Sequence, residues 1–183
     1  MGDVQVVWQR LVGWLGENAP RTASAVLAPA TQTSISAAEE RMGLVFPDEL
    51  QRWLLLSGTG DDSVDVTKGV MAGNRNLLGL AAIERIYEFK MDIERDDPSD
   101  DPDFPFWHEQ WIPIVSDDDA CYGKFLDVCS GQIGSFGDGD WPSFGTHESL
   151  FALFSDTITL MEQITSEMQH PFGRIQGGSL IWD

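Results

Sequence analysis

Basic residues are scarce in this chain. Its 183 residues include 11 Lys and Arg against 30 Asp and Glu, which gives a formal net charge of -19. Binding to nucleic acid requires clustered Lys and Arg, and binding to an anionic membrane surface does too. The composition therefore argues against direct binding to nucleic acid or membranes and favours a basic protein partner, which a negative surface attracts. A surface that is acidic only for solubility is the alternative.

Long hydrophobic runs and cysteines are also in short supply. No stretch approaches the roughly 20 apolar residues that span a bilayer, and the first ten residues lack the basic and apolar regions of a signal peptide. The two cysteines, Cys121 and Cys129, fall on one predicted strand about 26 Å apart, which is beyond disulfide reach. The sequence therefore predicts a cytoplasmic protein in which both thiols are buried and free.

Motifs of catalysis and cofactor binding are missing from the sequence. It contains no G-x-S-x-G, no Walker A pattern, no G-x-G-x-x-G and no H-E-x-x-H. His108, His147 and His170, together with the two cysteines, match no zinc-ligand spacing. We therefore predict no enzyme activity, no cofactor and no metal. A small acid–base enzyme is the alternative, and it would need a carboxylate with a strongly shifted pKa in a pocket.

The clearest structural pattern lies between residues 111 and 136. Residues 111–115 are apolar and β-branched, residues 122–128 alternate between two faces, and residues 132–136 return after the Ser130-Gly131 turn. Such alternation, bounded by Gly, Asp and Ser, predicts three short strands. A meander of this kind cannot bury its apolar face alone, so helices must cover it.

A helix is predicted at residues 4–17, with Asp3 as its N-cap. Apolar residues at helical spacing form its inward face. Residues 20–33, rich in Pro, Ala and Thr, are predicted to form a loop. The inward residues of the helix are Val4, Val7, Trp8, Leu11 and Leu15.

Two short helices are predicted to follow. Ser36 and Glu39 have the spacing of a capping box, which predicts a helix that ends at Gly43. Pro47 is predicted to begin the second helix at its favoured first position, and Gly58 to end it.

The rest of the chain continues the alternation of strands and helices. Residues 63–70 predict the first strand of the sheet, and a middle helix follows with Ile83, Ile86, Tyr87 and Lys90 inward. Residues 92–103 hold seven acids and two prolines, which predicts a solvated loop. Residues 147–170 are predicted to form the last helix, and the tail, residues 171–183, either packs across the body or folds only in some contexts.

These elements predict one α+β domain spanning residues 1–183, with an antiparallel or mixed sheet and helices packed mainly over one face. Hydrophobic residues make up 42% of the chain, which is enough for one well-packed core. We expect that core to contain Trp8, Leu11, Phe46, Leu50, Trp53, Ile112, Ile114, Leu126, Leu150 and Phe154.

An ordered run of apolar, acidic and glycine residues extends from position 35 to position 58. It reads Ile35-x3-Glu39-x3-Gly43-x2-Phe46-Pro47-x2-Leu50-x2-Trp53-Leu54-x3-Gly58. This run resembles the SMI1/KNR4 family of the SUKH superfamily, and later segments extend the resemblance over about residues 20–165. Those segments are residues 77–83, 111–114, 123–127 and 149–154. The chain departs from the family at residues 117–120, where the family has a Gly-rich turn, and at Ser57, where it has Asn.

The resemblance implies an interaction protein rather than an enzyme. In bacteria, it implies an immunity protein that binds and neutralises a polymorphic toxin, often a nuclease; in fungi, it implies a regulator of cell-wall synthesis. The negative charge separately favours a toxin partner, because nuclease toxins present basic grooves that an acidic surface can occupy. A cytoplasmic scaffold or regulatory module with an endogenous partner is the alternative function.

Two acidic turns are the candidate binding site. They flank the predicted hairpin, and one of them carries a tryptophan that could act as an aromatic anchor among carboxylates. Solvated turns without a binding role are the simpler alternative, and a calcium site is disfavoured because the EF-hand spacing is missing. We predict that a basic protein partner, such as a toxin domain, binds the surface formed by Asp117, Asp118, Asp119, Asp138, Asp140 and Trp141.

Overall fold

A six-stranded antiparallel sheet forms the centre of the molecule, and its strands are adjacent in chain order. The computed structural model describes residues 2–59, 65–100, 105–137, 140–164 and 171–183, except for the side chain of Trp141. The strands of the sheet are β1 (Val66–Met71), β2 (Arg75–Leu78), β3 (Trp111–Ser116), β4 (Gly123–Asp127), β5 (Ile133–Gly137) and β6 (Asp140–His147). The fold is therefore α+β, and of the two predicted sheet types it is the antiparallel one.

Six helices and a terminal hairpin complete the described part of the chain. The helices are α1 (Val4–Asn18), α2 (Pro20–Ala23), α3 (Gln32–Met42), α4 (Asp48–Leu54), α5 (Leu80–Asp96) and α6 (Leu150–Gln163). The hairpin consists of β7 (Gly173–Gln176) and β8 (Ser179–Trp182).

One hydrophobic core joins the helices to the sheet. Buried residues of α1, α3, α4, α5 and α6 share a single cluster with residues of β2, β3, β4 and β5. All ten residues predicted for the core belong to this cluster, and the five inward residues predicted for α1 are buried. The core prediction is therefore confirmed.

A second, aromatic cluster lies on the other face of β4. Leu126 belongs to the main core, whereas its neighbour Phe125 packs with Trp107, Trp111 and Phe136. Trp107 contacts the rings of these three residues at centroid distances of 5.3–5.8 Å. Both faces of β4 are thus buried, one by helices and one by the aromatic segment that follows the acidic stretch.

Two strands were not predicted. The predicted approach to the middle helix, residues 77–83, begins instead in β2, and the predicted acidic turn at residues 137–142 is a tight connection into β6. Strand β1 begins at Val66; the earlier part of the predicted strand, residues 63–64, lies outside the described residues.

The predicted start of α3 is wrong. The helix begins at Gln32, and its capping box is formed by Thr31 and Ser34, because these hydroxyls reach each other's backbone amides. Glu39 instead lies inside the helix and accepts a hydrogen bond from the backbone N–H of Phe46 at 2.7 Å. The helix does end at Gly43, which adopts φ 69°.

Other helix boundaries also need correction. The predicted loop at residues 20–33 contains the one-turn helix α2, and α4 ends at Leu54 rather than at Gly58. Helix α5 continues to Asp96, so the first part of the predicted acidic loop is helical. Helix α6 begins at Leu150 instead of residue 147, because the Ser149 side chain caps it by accepting from the N–H of Ala152.

The cysteines are free, as predicted, but they are not buried. Cys129 is exposed and Cys121 is half-buried. Both lie beyond the ends of β4, because the five-residue strand ends at Asp127, whose carboxylate accepts from the N–H of Cys129 and directs the chain into a turn.

The C-terminal hairpin packs across the body. Leu180 and Trp182 are buried in the main core. The N–H of Leu180 donates to the Thr22 hydroxyl at 2.9 Å, and the indole N–H of Trp182 donates to the Gly69 carbonyl at 3.1 Å. Of the two predicted alternatives for the tail, packing across the body is therefore the one observed.

Candidate functional site

Strand register brings the two acidic turns to the same end of the sheet. Ser116 pairs with Gly123 across β3 and β4, and Gly123 pairs with Phe136 across β4 and β5. Gly137 then pairs with Asp140 across β5 and β6. The turn at residues 117–122 and the start of β6 are therefore neighbours, and we call residues 117–122 with Asp140 the acidic end.

Asp117 shapes the turn rather than presenting its charge. Its Oδ1 accepts from the backbone N–H of Cys121 at 2.9 Å and of Tyr122 at 3.2 Å. The turn also contains Ala120 at φ 57°, a left-handed conformation that is unfavourable for a residue with a Cβ. These carboxylate hydrogen bonds help to hold that conformation, so Asp117 has a structural role.

Asp118 is partly neutralised by its neighbours. Its Oδ1 accepts from the side-chain amide of Asn76 at 2.9 Å and lies 3.5 Å from the ammonium of Lys68. Asn76 is buried on β2, whereas both partners of the ion pair are largely exposed. Asp118 thus ties the turn to strands β1 and β2 and retains only part of its charge for a partner.

Asp119 and Asp140 are the exposed carboxylates of the acidic end. Neither forms an ion pair with another described residue, so their charge is available to a partner. Asp138 lies outside the described residues, as does the side chain of Trp141. The structure therefore brings together four of the six residues predicted for the site, in differing roles.

Tyr122 is an aromatic residue of the acidic end that the sequence did not single out. It is 42% exposed, and its ring packs against Gly137, where a Cβ would meet the ring at 3.0 Å. Glycine at position 137 thus leaves room for the tyrosine beside the start of β6. Its position at the edge of an alternating segment, next to an acidic run, was the available signal.

A second feature lies between the sheet and α6. A pocket of about 270 Å³ is lined by Arg75, Lys124 and His147 from the sheet, and we call it the cationic pocket. Asp156 of α6 lies beside it, with Oδ2 3.3 Å from His147 Nε2. Burial lowers the pKa of Lys124, and the charge of Arg75 adds to this effect.

His147 is held in an environment that favours its neutral form. Burial lowers its pKa, and the charge of Lys124 lowers it further, whereas Asp156 acts in the opposite direction. On acidification, the unfolded chain therefore takes up a proton at this histidine before the folded chain does. The contribution of His147 to the free energy of unfolding is retained above its unfolded pKa of about 6.5 and decreases below it.

We expect the wild-type protein to lose more stability than His147→Gln when the pH falls from 7.5 to 5.5. Urea unfolding of both proteins across this range measures the difference, in which contributions from other titrating groups cancel. Parallel stability–pH curves for the two proteins would contradict the buried neutral state of His147.

The other predicted ligand residues do not converge. The ring of His108 packs beside Trp111, and its Nδ1 accepts from the N–H of Gln110, while His170 lies outside the described residues. Within the described ranges, no group of three or more His, Cys, Asp or Glu side chains is placed to hold a metal ion. No described helix has the length and apolar character needed to cross a membrane.

Comparison with known proteins identifies one relationship. A family model described as the SMI1 / KNR4 family (SUKH-1) matches residues 29–160, which is more than two thirds of the chain. This range contains most of the core, the acidic end and most of the cationic pocket. A search of curated proteins finds no match.

Proposed function

Because this chain belongs to the SMI1/KNR4 family (SUKH-1), we propose that it is an immunity protein that binds and neutralises a toxin with a basic surface. The family supports a broad immunity or regulatory role and is generally non-enzymatic. Binding of a protein partner is therefore the starting point, and the chemistry of that partner is the point to be argued.

Charge is the observation that carries the proposal. The chain has a formal net charge of -19, and the acidic end presents the exposed carboxylates of Asp119 and Asp140 beside the exposed ring of Tyr122. An aromatic side chain with carboxylates around it suits a basic partner, since the ring supplies apolar contact area while the charges orient the approach. Trp141 remains part of the proposed surface.

Neutralisation follows from occupation of a groove. A nuclease toxin binds its substrate through Lys and Arg side chains, and an acidic protein docked over them excludes the phosphate backbone. The long-range field speeds the encounter, and close contacts at the centre of the interface set how long the complex lasts. The same binding chemistry, directed at an endogenous basic partner, would give the regulatory alternative.

The proposal predicts that Asp119→Asn combined with Asp140→Asn slows association roughly three- to tenfold at low salt. The partner to test is the toxin encoded beside this gene, and stopped-flow or surface binding measures the two rate constants. Both substitutions preserve side-chain size, and Asp117 is left intact because it holds the turn together.

The matched control is Glu17→Gln combined with Glu40→Gln, which changes the net charge equally at exposed helical positions away from the sheet. Equal slowing in both double variants would show that net charge alone matters and that the acidic end is not the docking surface. In that case, the acidic residues from Asp92 to position 103 are the next candidates.

A further inference from the structure

The cationic pocket contains basic side chains that no described carboxylate neutralises. Seven of the eleven Lys and Arg residues of the chain form ion pairs with acidic side chains. Over the described ranges, Arg75 and Lys124 form none, and the Lys124 ammonium donates to Ser135 Oγ at 3.4 Å. Acids outnumber basic residues 30 to 11, so two unpaired cations in one pocket require an explanation.

This arrangement has an electrostatic cost in the folded protein. Lys124 is half-buried, and burial together with the charge of Arg75 lowers its pKa. The charge of Lys124 in turn acts on His147. An anion in the pocket would relieve both effects, because it would attract each of the three groups.

The remaining wall of the pocket is largely apolar. Met71 and Val115 line it from the sheet, and Leu153 and Leu160 line it from α6. The volume of about 270 Å³ exceeds the roughly 150 Å³ that accommodates a benzene-sized group. The pocket therefore has room for a charged group together with a short hydrocarbon chain.

We propose that the cationic pocket binds a small organic monocarboxylate with a short aliphatic chain. Its carboxylate lies between Arg75 and Lys124, where charge-assisted hydrogen bonds are available. Its chain lies against Met71, Val115 and Leu160, where burial of apolar surface adds to the affinity. Asp156 beside the pocket disfavours a second negative charge, so a phosphate dianion is a poorer ligand.

Hexanoate is a suitable probe, with two comparison ligands that each lack one of its features. Hexan-1-ol keeps the chain without the charge, and inorganic phosphate keeps a charge without the chain. Isothermal titration calorimetry at pH 7.5 on the full chain should show saturable binding of one hexanoate, at least tenfold tighter than either comparison ligand. Hexanoate that binds no more tightly than hexan-1-ol, or phosphate that binds more tightly, would overturn the proposal.

Lys124→Met tests the site directly, because it removes the charge and keeps a long unbranched side chain. Hexanoate binding should weaken at least tenfold, as expected for loss of a hydrogen bond between charged groups. Lys68→Met is the matched control, since Lys68 pairs with Asp118 outside the pocket, and it should bind hexanoate like the wild type. Unchanged binding in Lys124→Met, with its fold verified by circular dichroism, would refute the site.

The imidazole of His147 provides a second readout that does not depend on a variant. A bound carboxylate adds negative charge near a ring that already faces Lys124 and Asp156, so hexanoate should raise the pKa of His147 in an NMR titration. The His147→Gln protein assigns the resonance. A His147 pKa that saturating hexanoate leaves unchanged would count against the pocket, whatever the outcome of the toxin-binding experiment.

Discussion

Replacement of Phe154 by Ala is expected to lower the free energy of unfolding by about 3–5 kcal/mol. Phe154 is fully buried on α6, and its ring contacts Trp8 of α1 at 5.2 Å and Trp53 of α4 at 5.4 Å between centroids. The two tryptophans also contact each other at 5.9 Å. Removal of the ring leaves a cavity among three helices, whose loss of packing adds to the lost apolar burial.

Urea unfolding of Phe154→Ala and of Phe154→Leu checks this expectation. Leucine restores most of the apolar volume, so its loss should be clearly smaller than that of alanine. The slope of the transition should be similar in all three proteins if the folded core remains cooperative. A loss below about 1 kcal/mol for Phe154→Ala would show that the three rings do not form a close-packed centre.

Helices with a long apolar period are predictable from the sequence, but their ends are less so. The inward residues of α1 and α6 follow from spacing alone, because the same core covers each face along its length. The start of α6 depends on tertiary structure. The carboxylate of Glu49, 101 residues before Leu150, accepts from the N–H of Leu150 at 3.0 Å and of Phe151 at 2.9 Å. No local pattern reveals such a cap.

Strand β6 shows why an edge strand escapes prediction. Its residues include Pro142 and Gly145, both poor strand formers, and Ser143 and Phe144 are exposed. An edge strand pairs on one side only, which is why it tolerates a proline and the positive φ of 62° at Gly145. Its pairing with β5 is a tertiary fact that alternation in the sequence does not encode.

The candidate site divides along the same line. Hairpin connectivity alone indicates that the acidic turns lie near one another, and the strand register does place them at one end of the sheet. Individual roles require coordinates, since Asp117 caps its own turn while Asp119 is exposed. The cationic pocket was out of reach of sequence analysis, because Arg75, Lys124 and His147 come from three strands separated by long stretches of chain.

The boundaries of the family match differ from those of the core. The match covers residues 29–160, whereas α1 precedes it and the hairpin of β7 and β8 follows it. Val7 and Trp8 before the match, and Leu180 and Trp182 after it, nevertheless lie in the same buried cluster. This arrangement predicts that the flanking segments contribute to stability as strongly as matched residues do.

Trp182→Ala is therefore expected to lower the free energy of unfolding by about 3–5 kcal/mol, although the residue is next to last in the chain. Its indole is 2% exposed, and its N–H donates to the Gly69 carbonyl at 3.1 Å. Its own carbonyl accepts from the side-chain amide of Asn74 at 3.1 Å. Alanine would leave a cavity beside β1 and an unpaired carbonyl at Gly69.

Ile181→Ala is the matched control for the tail, because Ile181 alternates with Trp182 along β8 and is only half-buried. Urea unfolding should show a clearly smaller loss for Ile181→Ala than for Trp182→Ala, with one transition in each protein. A hairpin that unfolds independently of the core would instead give small and equal losses at both positions. That outcome would place the tail outside the cooperative unit, whereas a large loss confined to Trp182 would show that the core depends on a segment beyond the family match.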